Sequence, residues 1–132
     1  APYNAVWRDG RIAGLIDWDV TGPGHPWQDL AFAAWQWVPL HELSQLEPGW
    51  VRPPDVAARL RLLTDAYGLA PADRLAFART IPARMRLSVD RIAAGADAGD
   101  PGLTALRERG YLDEMRHSVA YVESLIPTLL ET

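Results

Sequence analysis

The stretch from residue 2 to residue 19 reads Pro-Tyr-Asn-Ala-Val-Trp-Arg-Asp-Gly-Arg-Ile-Ala-Gly-Leu-Ile-Asp-Trp-Asp. Its segments 5–8 and 12–16 are rich in residues that favour β-strands, and Asp9-Gly10 joins them. This dipeptide readily adopts the two positive φ angles of a two-residue hairpin turn. The stretch therefore predicts a β-hairpin. Because an isolated hairpin is only marginally stable in water, we expect its apolar side chains to pack against helices.

The remainder of the chain is predicted to be helical. Breaker residues at 21–26 end the hairpin segment, and apolar residues at helical spacing then predict a first helix over 27–38. Three further helices are predicted: from Asp55 to Gly68, from Pro71 with a kink or break at Pro82, and over 111–130. A flexible connector is predicted at 95–102, and a short helix or turn over 103–110. The predicted fold class is mostly α with a small N-terminal β-hairpin, in a single domain spanning residues 1–132.

The apolar residues at helical spacing define the predicted buried face of each longer helix. These residues are, in chain order, Leu30, Ala31, Ala34, Trp35 and Val38; Val56, Leu60, Leu63 and Tyr67; Leu75, Ala78, Met85, Val89 and Ile92; and Leu112, Met115, Val119, Val122, Ile126 and Leu129.

Composition excludes several classes of function. The net charge is −4, and all 13 basic residues are scattered arginines, so no basic stripe that could follow a nucleic-acid backbone is present. The absence of cysteine excludes a disulfide framework and a cysteine-ligated zinc site. No apolar run is long enough for a membrane span. We therefore expect a cytoplasmic protein that binds neither nucleic acid nor membrane.

Asn4, Asp17 and the tripeptide Asp29-Leu30-Ala31 stand in an order that resembles the aminoglycoside phosphotransferase (APH) family of kinase-like enzymes. In that family a His-x-Asp-x-x-x-x-Asn catalytic loop is followed by a hairpin and by an Ile-Asp-Trp or similar tripeptide. The resemblance implies a partial C-terminal lobe of a protein-kinase-like α+β fold. Residues 1–26 would then hold the end of the catalytic loop, the hairpin and a metal-ligand loop, and residues 27–132 a helical subdomain.

The resemblance also implies roles for four residues. Asn4 and Asp17 would be ligands of Mg²⁺, since phosphoryl transfer depends on positioning and on neutralising phosphate charge with oxygen-bound metal. Asp29 would fix the catalytic-loop backbone, and Asp19 would be a second metal contact or a loop-orienting group. Taken singly, Asn4 and Asp17 are more typical of solvated turns, and Asp29 is as typical of a helix-start charge stabilised by the helix dipole. His25, His41 and His117 lack companions at ligand spacing, so surface or core positions are expected for them.

The resemblance places the aspartate that acts as catalytic base ahead of Ala1, and the chain contains no lysine. No residue of this chain is therefore predicted to be catalytic. ATP and Mg²⁺ are the implied cofactors, although the chain alone is expected to bind neither tightly and to be inactive. The implied function is transfer of the ATP γ-phosphate to a hydroxyl of a small molecule, with aminoglycoside, macrolide, choline-like and sugar acceptors open. The alternative is a non-catalytic helical binding or dimerisation domain. Self-association, or pairing with a missing N-terminal lobe, is expected.

Overall fold

The computed structural model describes residues 2–18, 22–46 and 51–130, in which an antiparallel hairpin precedes a set of helices. This confirms the predicted mostly helical fold with a small N-terminal hairpin. The strands are β1 (Ala5–Arg8) and β2 (Arg11–Leu15), and the helices are α1 (Pro26–Trp37), α2 (Val56–Tyr67), α3 (Arg74–Asp97), α4 (Pro101–Glu108) and α5 (Tyr111–Leu125). Single 3-10 turns lie at Pro2–Asn4, Leu43–Gln45, Pro71–Asp73 and Thr128–Leu130.

The hairpin turn has the backbone geometry that its sequence predicts. Asp9 and Gly10 both have positive φ angles, 50° and 73°, as a type I′ turn requires. Trp7 pairs with Ile12, whereas the preceding residue Val6 pairs with Gly14, so β2 carries a bulge opposite the Val6–Trp7 step. The chain thus returns on itself, and the residues that flank the hairpin are brought together.

The expectation that helices cover the apolar side chains of the hairpin is wrong. Trp7 contacts Trp37 at the end of α1, with ring centroids 6.4 Å apart, yet Trp7 remains 56% exposed. The other large apolar residues of this segment are also exposed: Tyr3, Val6, Ile12, Leu15, Ile16 and Trp18. Most of the hairpin's hydrophobic surface therefore faces solvent.

The core lies where α3 packs against α1 and α5. Phe77, Ile81 and Met85 of α3 are its buried centre, and Phe77 meets the edge of the Trp27 ring at a centroid distance of 6.0 Å. The buried face predicted for α1 is confirmed in full. Most of the face predicted for the last helix is confirmed as well, including Leu112, Met115, Val119 and Val122.

Two predicted core residues lie on the surface instead. Tyr67 at the end of α2 and Leu75 at the start of α3 are exposed, whereas Thr64 is buried. Thr64 tolerates burial because its hydroxyl donates to the Arg61 carbonyl at 3.0 Å, within the same helix. Helical spacing thus predicted the buried side of α2, but it included the exposed Tyr67 and left out the buried Thr64.

Helix α3 runs without interruption from Arg74 to Asp97, so the predicted break at Pro82 does not occur. Proline inside a helix costs about 3 kcal/mol because it lacks an N–H donor and crowds the preceding turn. Pro82 is buried in the core, and we attribute its tolerance to that packing. The predicted connector is also shorter than expected, since α4 already begins at Pro101, where the Asp100 carboxylate accepts from the Leu103 amide at 2.9 Å.

Side-chain contacts also tie the helices to one another. Arg86 pairs with Glu123, which joins α3 to α5. Asp55 caps α2 by accepting from the Ala58 amide at 2.9 Å, and Arg59 donates to the Trp37 carbonyl at 3.0 Å. Among the described helices, none combines the length and apolar character needed to cross a membrane.

Candidate functional site

The hairpin places Asn4 beside Asp17. The Ile16 amide donates to the Asn4 carbonyl at 3.0 Å, which extends the strand pairing by one step beyond Ala5 and Leu15. The Asn4 side-chain amide then donates to Oδ2 of Asp17 at 2.9 Å. Two residues separated by the whole hairpin are thereby joined at its base.

Asp17 has an uncommon backbone conformation. Its φ angle is 66°, in the left-handed region that a non-glycine residue occupies at a cost of about 1–2 kcal/mol. Aspartate tolerates this region better than most residues. The neighbouring Trp18 indole donates to the Leu15 carbonyl at 2.9 Å and so closes the turn that follows β2. The strained backbone, the Trp18 contact and the Asn4 hydrogen bond together fix the direction of the Asp17 carboxylate.

Asn4 and Asp17 line a cavity of about 780 Å³ between the hairpin base, α1 and α3. This volume is within the range typical of small-molecule sites. The lining residues include Tyr3, Asn4, Asp17, Trp18, Asp29, Phe32, Trp37, Arg84, Ser88, Arg91 and Leu103. The hairpin segment, α1 and α3 each contribute a wall of the cavity, and Leu103 of α4 adds to its lining.

The α1 wall contributes Asp29 from the first turn of the helix. Helix α1 begins at Pro26, and Nδ1 of His25 accepts from the Trp27 amide at 3.2 Å. A carboxylate in a first turn is stabilised by the helix dipole. The sequence therefore sets both the start of α1 and the position of Asp29 on it. Asp29 lines the same cavity as Asn4 and Asp17.

The α3 wall contributes Arg84, Ser88 and Arg91, which recur on one face of the helix. Nη1 of Arg84 donates to Oγ of Ser88 at 2.6 Å, and the guanidinium lies 5.1 Å from the centre of the Phe32 ring. These contacts hold Arg84 in one orientation. Burial lowers the pKa of Arg84, Arg91 lowers it further, and Asp29 acts in the opposite direction. The side chain nevertheless stays charged at neutral pH, as arginine does in proteins.

Three of the four predicted site residues, Asn4, Asp17 and Asp29, therefore line one cavity, while Asp19 lies outside the described residues. Their predicted roles stay predictions. The α3 arginines were missed, because the sequence carries many arginines and nothing marked these two. Their seven-residue separation, with Ser88 between them, indicates that the three side chains share one face of a helix. The sequence does not show that this face lines the cavity, because that depends on where α3 packs.

The residues present fit a hard cation such as Mg²⁺ by their chemistry. The Asn4–Asp17 hydrogen bond uses the Asn4 nitrogen and a single Asp17 oxygen, so an amide oxygen and a second carboxylate oxygen are the groups that could bind the ion. Within residues 2–18, 22–46 and 51–130, no three His, Cys, Asp or Glu side chains cluster as a metal site. The arrangement resembles the sparse protein ligation of Mg²⁺, which is completed by phosphates and water.

Comparison with known protein families adds an independent observation. The profile of the phosphotransferase enzyme family (APH) matches residues 1–86, which include the hairpin, α1, α2 and the first half of α3. The chain belongs to the phosphotransferase enzyme family. This membership confirms the resemblance noted in the sequence.

Among curated proteins, this chain is similar to the trifolitoxin immunity protein of Rhizobium leguminosarum bv. trifolii. The two are 38% identical over 77 residues, a match that covers 58% of this chain and 30% of the relative. The chain thus spans less than a third of the relative's length. The comparison with solved structures finds no match.

Proposed function

We propose that this chain forms the metal-binding side of a phosphotransferase site, as part of the C-terminal lobe of a kinase-like fold. The reaction would move the γ-phosphate of ATP to a hydroxyl of a small molecule, and aminoglycosides are one acceptor class known for the family. The observation that carries the proposal is the Asn4–Asp17 hydrogen bond at the edge of a cavity, in a segment that the family profile matches.

The chain's own residues would act by positioning. Asn4 and Asp17 would hold the cation, and Mg²⁺ would supply neutralisation of the nucleotide's phosphate charge. The fixed Asp17 backbone would keep its carboxylate oriented without reorganisation. Asp29 would add negative charge at the α1 side of the cavity and orient the loop that carries Asn4.

In the proposed reaction, the acceptor oxygen bonds to the γ-phosphorus as the bond from that phosphorus to the bridging oxygen of ADP breaks. The hydroxyl proton passes to a general base, for which no residue of this chain is assigned. The chain by itself is expected to bind Mg²⁺ weakly and to transfer no phosphate. Transfer is expected only when a general base and the remainder of the nucleotide site are supplied.

Substitution of Asp17 tests the metal assignment. Removing one charged ligand should weaken Mg²⁺ binding about tenfold or more, since each tenfold change corresponds to about 1.4 kcal/mol. We would titrate Mg²⁺ into the labelled chain and follow amide chemical shifts for wild type, Asp17→Asn and the control Asp90→Asn. Asp90 undergoes the same chemical change on an exposed face of α3. Equal affinities for wild type and Asp17→Asn would show that the ligand assignment is wrong.

A second candidate function is non-catalytic association. The exposed apolar side chains of the hairpin favour it, because a contiguous apolar surface on a soluble protein is commonly a contact surface. The occupant would be a second copy of the chain or a further lobe of the same enzyme. This candidate makes no use of Asp17, so the Mg²⁺ titration distinguishes it from the first.

A further inference from the structure

The charge pattern of the cavity carries information about the ligand that fits it. Arg84 and Arg91 both line the cavity from α3. Neither forms an ion pair with a carboxylate of the described residues, although Arg74, Arg86, Arg107 and Arg116 all do. Other described arginines, such as Arg79, also form no ion pair, so Arg84 and Arg91 are distinguished by lining the cavity together.

Arg84 is held in place by contacts that leave its charge uncompensated. It stacks over Phe32 and donates to Ser88, which are a neutral ring and a neutral hydroxyl. Asp29 influences Arg84 electrostatically without coming within ion-pair distance. A half-buried guanidinium oriented by neutral partners is ready to bind an anion, since its remaining N–H donors need acceptors.

Arg91 and Ser88 extend this donor set along the same face of α3. Seven helical residues span about 10 Å, a distance that two arginine side chains can bridge by converging on one group. The Ser88 oxygen accepts from Arg84, so its own O–H remains available as a donor, and Ser88 lines the cavity. Two guanidinium groups and a hydroxyl are thus aligned on one wall.

We propose that Arg84, Ser88 and Arg91 form a subsite for an anionic group, a carboxylate or a phosphate, on the α3 wall of this cavity. The anion subsite itself does not depend on the proposed function. The identity of the ligand that carries the anionic group rests on that function. That group belongs to the acceptor or to the nucleotide. In both cases the positive charge of the wall repels the ammonium groups of an aminoglycoside. If the anionic group belongs to the acceptor, the acceptor is an acidic or phosphorylated hydroxyl compound.

The first experiment measures binding of inorganic phosphate to the full chain, without metal and at fixed ionic strength. We expect Arg84→Gln to weaken phosphate binding about tenfold, and the more exposed Arg91→Gln roughly three- to tenfold, because solvent screens the outer charge. The control is Arg79→Gln, an exposed arginine of the same helix that does not line the cavity. It should retain wild-type affinity.

A second variant separates binding from folding. Arg84→Lys keeps the positive charge, and its phosphate affinity should stay closer to wild type than that of Arg84→Gln, with both variants checked by thermal unfolding. The same proteins are titrated with an aminoglycoside as a cationic probe. Its affinity should rise in Arg84→Gln and Arg91→Gln, because a repulsive charge has been removed.

Repeating the phosphate titration in the presence of Mg²⁺ and ATP identifies the source of the anion. The Mg²⁺–ATP concentration is set from its own titration of the wild-type chain, so that its site is filled. Phosphate binding that then persists assigns the subsite to the acceptor. Exclusion of phosphate by Mg²⁺–ATP, together with weaker Mg²⁺–ATP binding in the arginine variants, assigns it to the nucleotide.

The subsite is disproved if wild type binds no phosphate at millimolar concentrations, if both glutamine variants bind it as wild type does, or if Arg79→Gln weakens it equally. Lower aminoglycoside affinity in the glutamine variants would also overturn the proposal. These outcomes leave the metal assignment untouched, since that depends on Asp17 and Mg²⁺. Conversely, failure of the Asp17 test leaves the phosphate result standing.

Discussion

At the scale of single residues, the candidate site is held by few contacts. One hydrogen bond joins Asn4 to Asp17, and one positive φ angle directs the Asp17 carboxylate. The family resemblance indicated both residues, and the two-residue turn predicted that the ends of the hairpin meet, although the bulge in β2 shifts the pairing by one residue from the register of the turn. The neighbours across the cavity could not, since Arg84 and Arg91 reach it only through the packing of α3 on α1.

His41 gives a prediction for the pH dependence of stability. Burial lowers the pKa of His41 from its ordinary value of 6.5, and its ring lies 5.9 Å from that of Trp35. The unfolded chain therefore binds a proton more readily than the folded one below about pH 6.5. This contribution to stability is fully present above pH 6.5 and is lost as the pH falls towards the lower, folded-state pKa.

Urea unfolding between about pH 7 and pH 5 checks this prediction. The free energy of unfolding of wild type should fall over this range, and His41→Gln should fall less. His117→Gln serves as the comparison, because His117 lies on the surface beside Glu42, and it should not reduce the fall as His41→Gln does. A His41→Gln slope identical to that of wild type would contradict the prediction.

At the scale of elements, α3 joins the core to the candidate site. One face buries Phe77, Ile81 and Met85, and another presents Arg84 and Arg91 to the cavity. Helical spacing predicted Ala78, Met85 and Val89 of the buried face but not Phe77 or Ile81 at its centre. Helix propensity led to the prediction of a kink or break at Pro82, because propensity takes no account of the packing that can compensate for proline.

The end of α2 provides a prediction about helix capping. Gly68 has a φ angle of 82°, and its amide bonds to the Thr64 and Asp65 carbonyls. Gly68→Ala should lower the free energy of unfolding by about 1 kcal/mol because a Cβ atom disfavours this left-handed conformation. Gly68→Asn should lower it less, since asparagine tolerates the region.

Chemical denaturation of the two variants measures these effects. Gly14→Ala is a suitable control, because a Cβ atom at Gly14 meets open space and its φ angle is not in the left-handed region. Gly14→Ala should change the free energy of unfolding by less than about half of the change caused by Gly68→Ala. Equal losses for Gly68→Ala and Gly68→Asn would argue against the backbone explanation.

At the scale of the whole molecule, burial is unevenly distributed. The helices share a closed core, whereas the hairpin leaves Trp7 and Ile12 about half exposed. The two residues are cross-strand partners, so their side chains belong to one apolar surface. Such a surface, on a sheet of only two strands, favours association with another chain.

We predict that the chain self-associates as its concentration rises and that Trp7→Thr with Ile12→Thr reduces this. Threonine keeps the β preference of both strands while removing apolar area, so the hairpin should persist. Light scattering across a concentration series measures the association. Leu62→Thr is the control, since Leu62 is an exposed leucine of α2 away from the hairpin, and it should associate like wild type. A wild-type chain that remains monomeric throughout would contradict the prediction.

The sequence by itself determined what depends on near neighbours in the chain: the Asp9-Gly10 turn, the start of α1 before Asp29, and the meeting of Asn4 with Asp17. Turn and cap chemistry act over a few residues, so these features can be predicted locally. Only the tertiary structure decided that α3 would pass unbroken through Pro82 and bring Arg84 and Arg91 to the cavity. It also decided that the hairpin's apolar side would face solvent, because burial depends on which distant elements pack together.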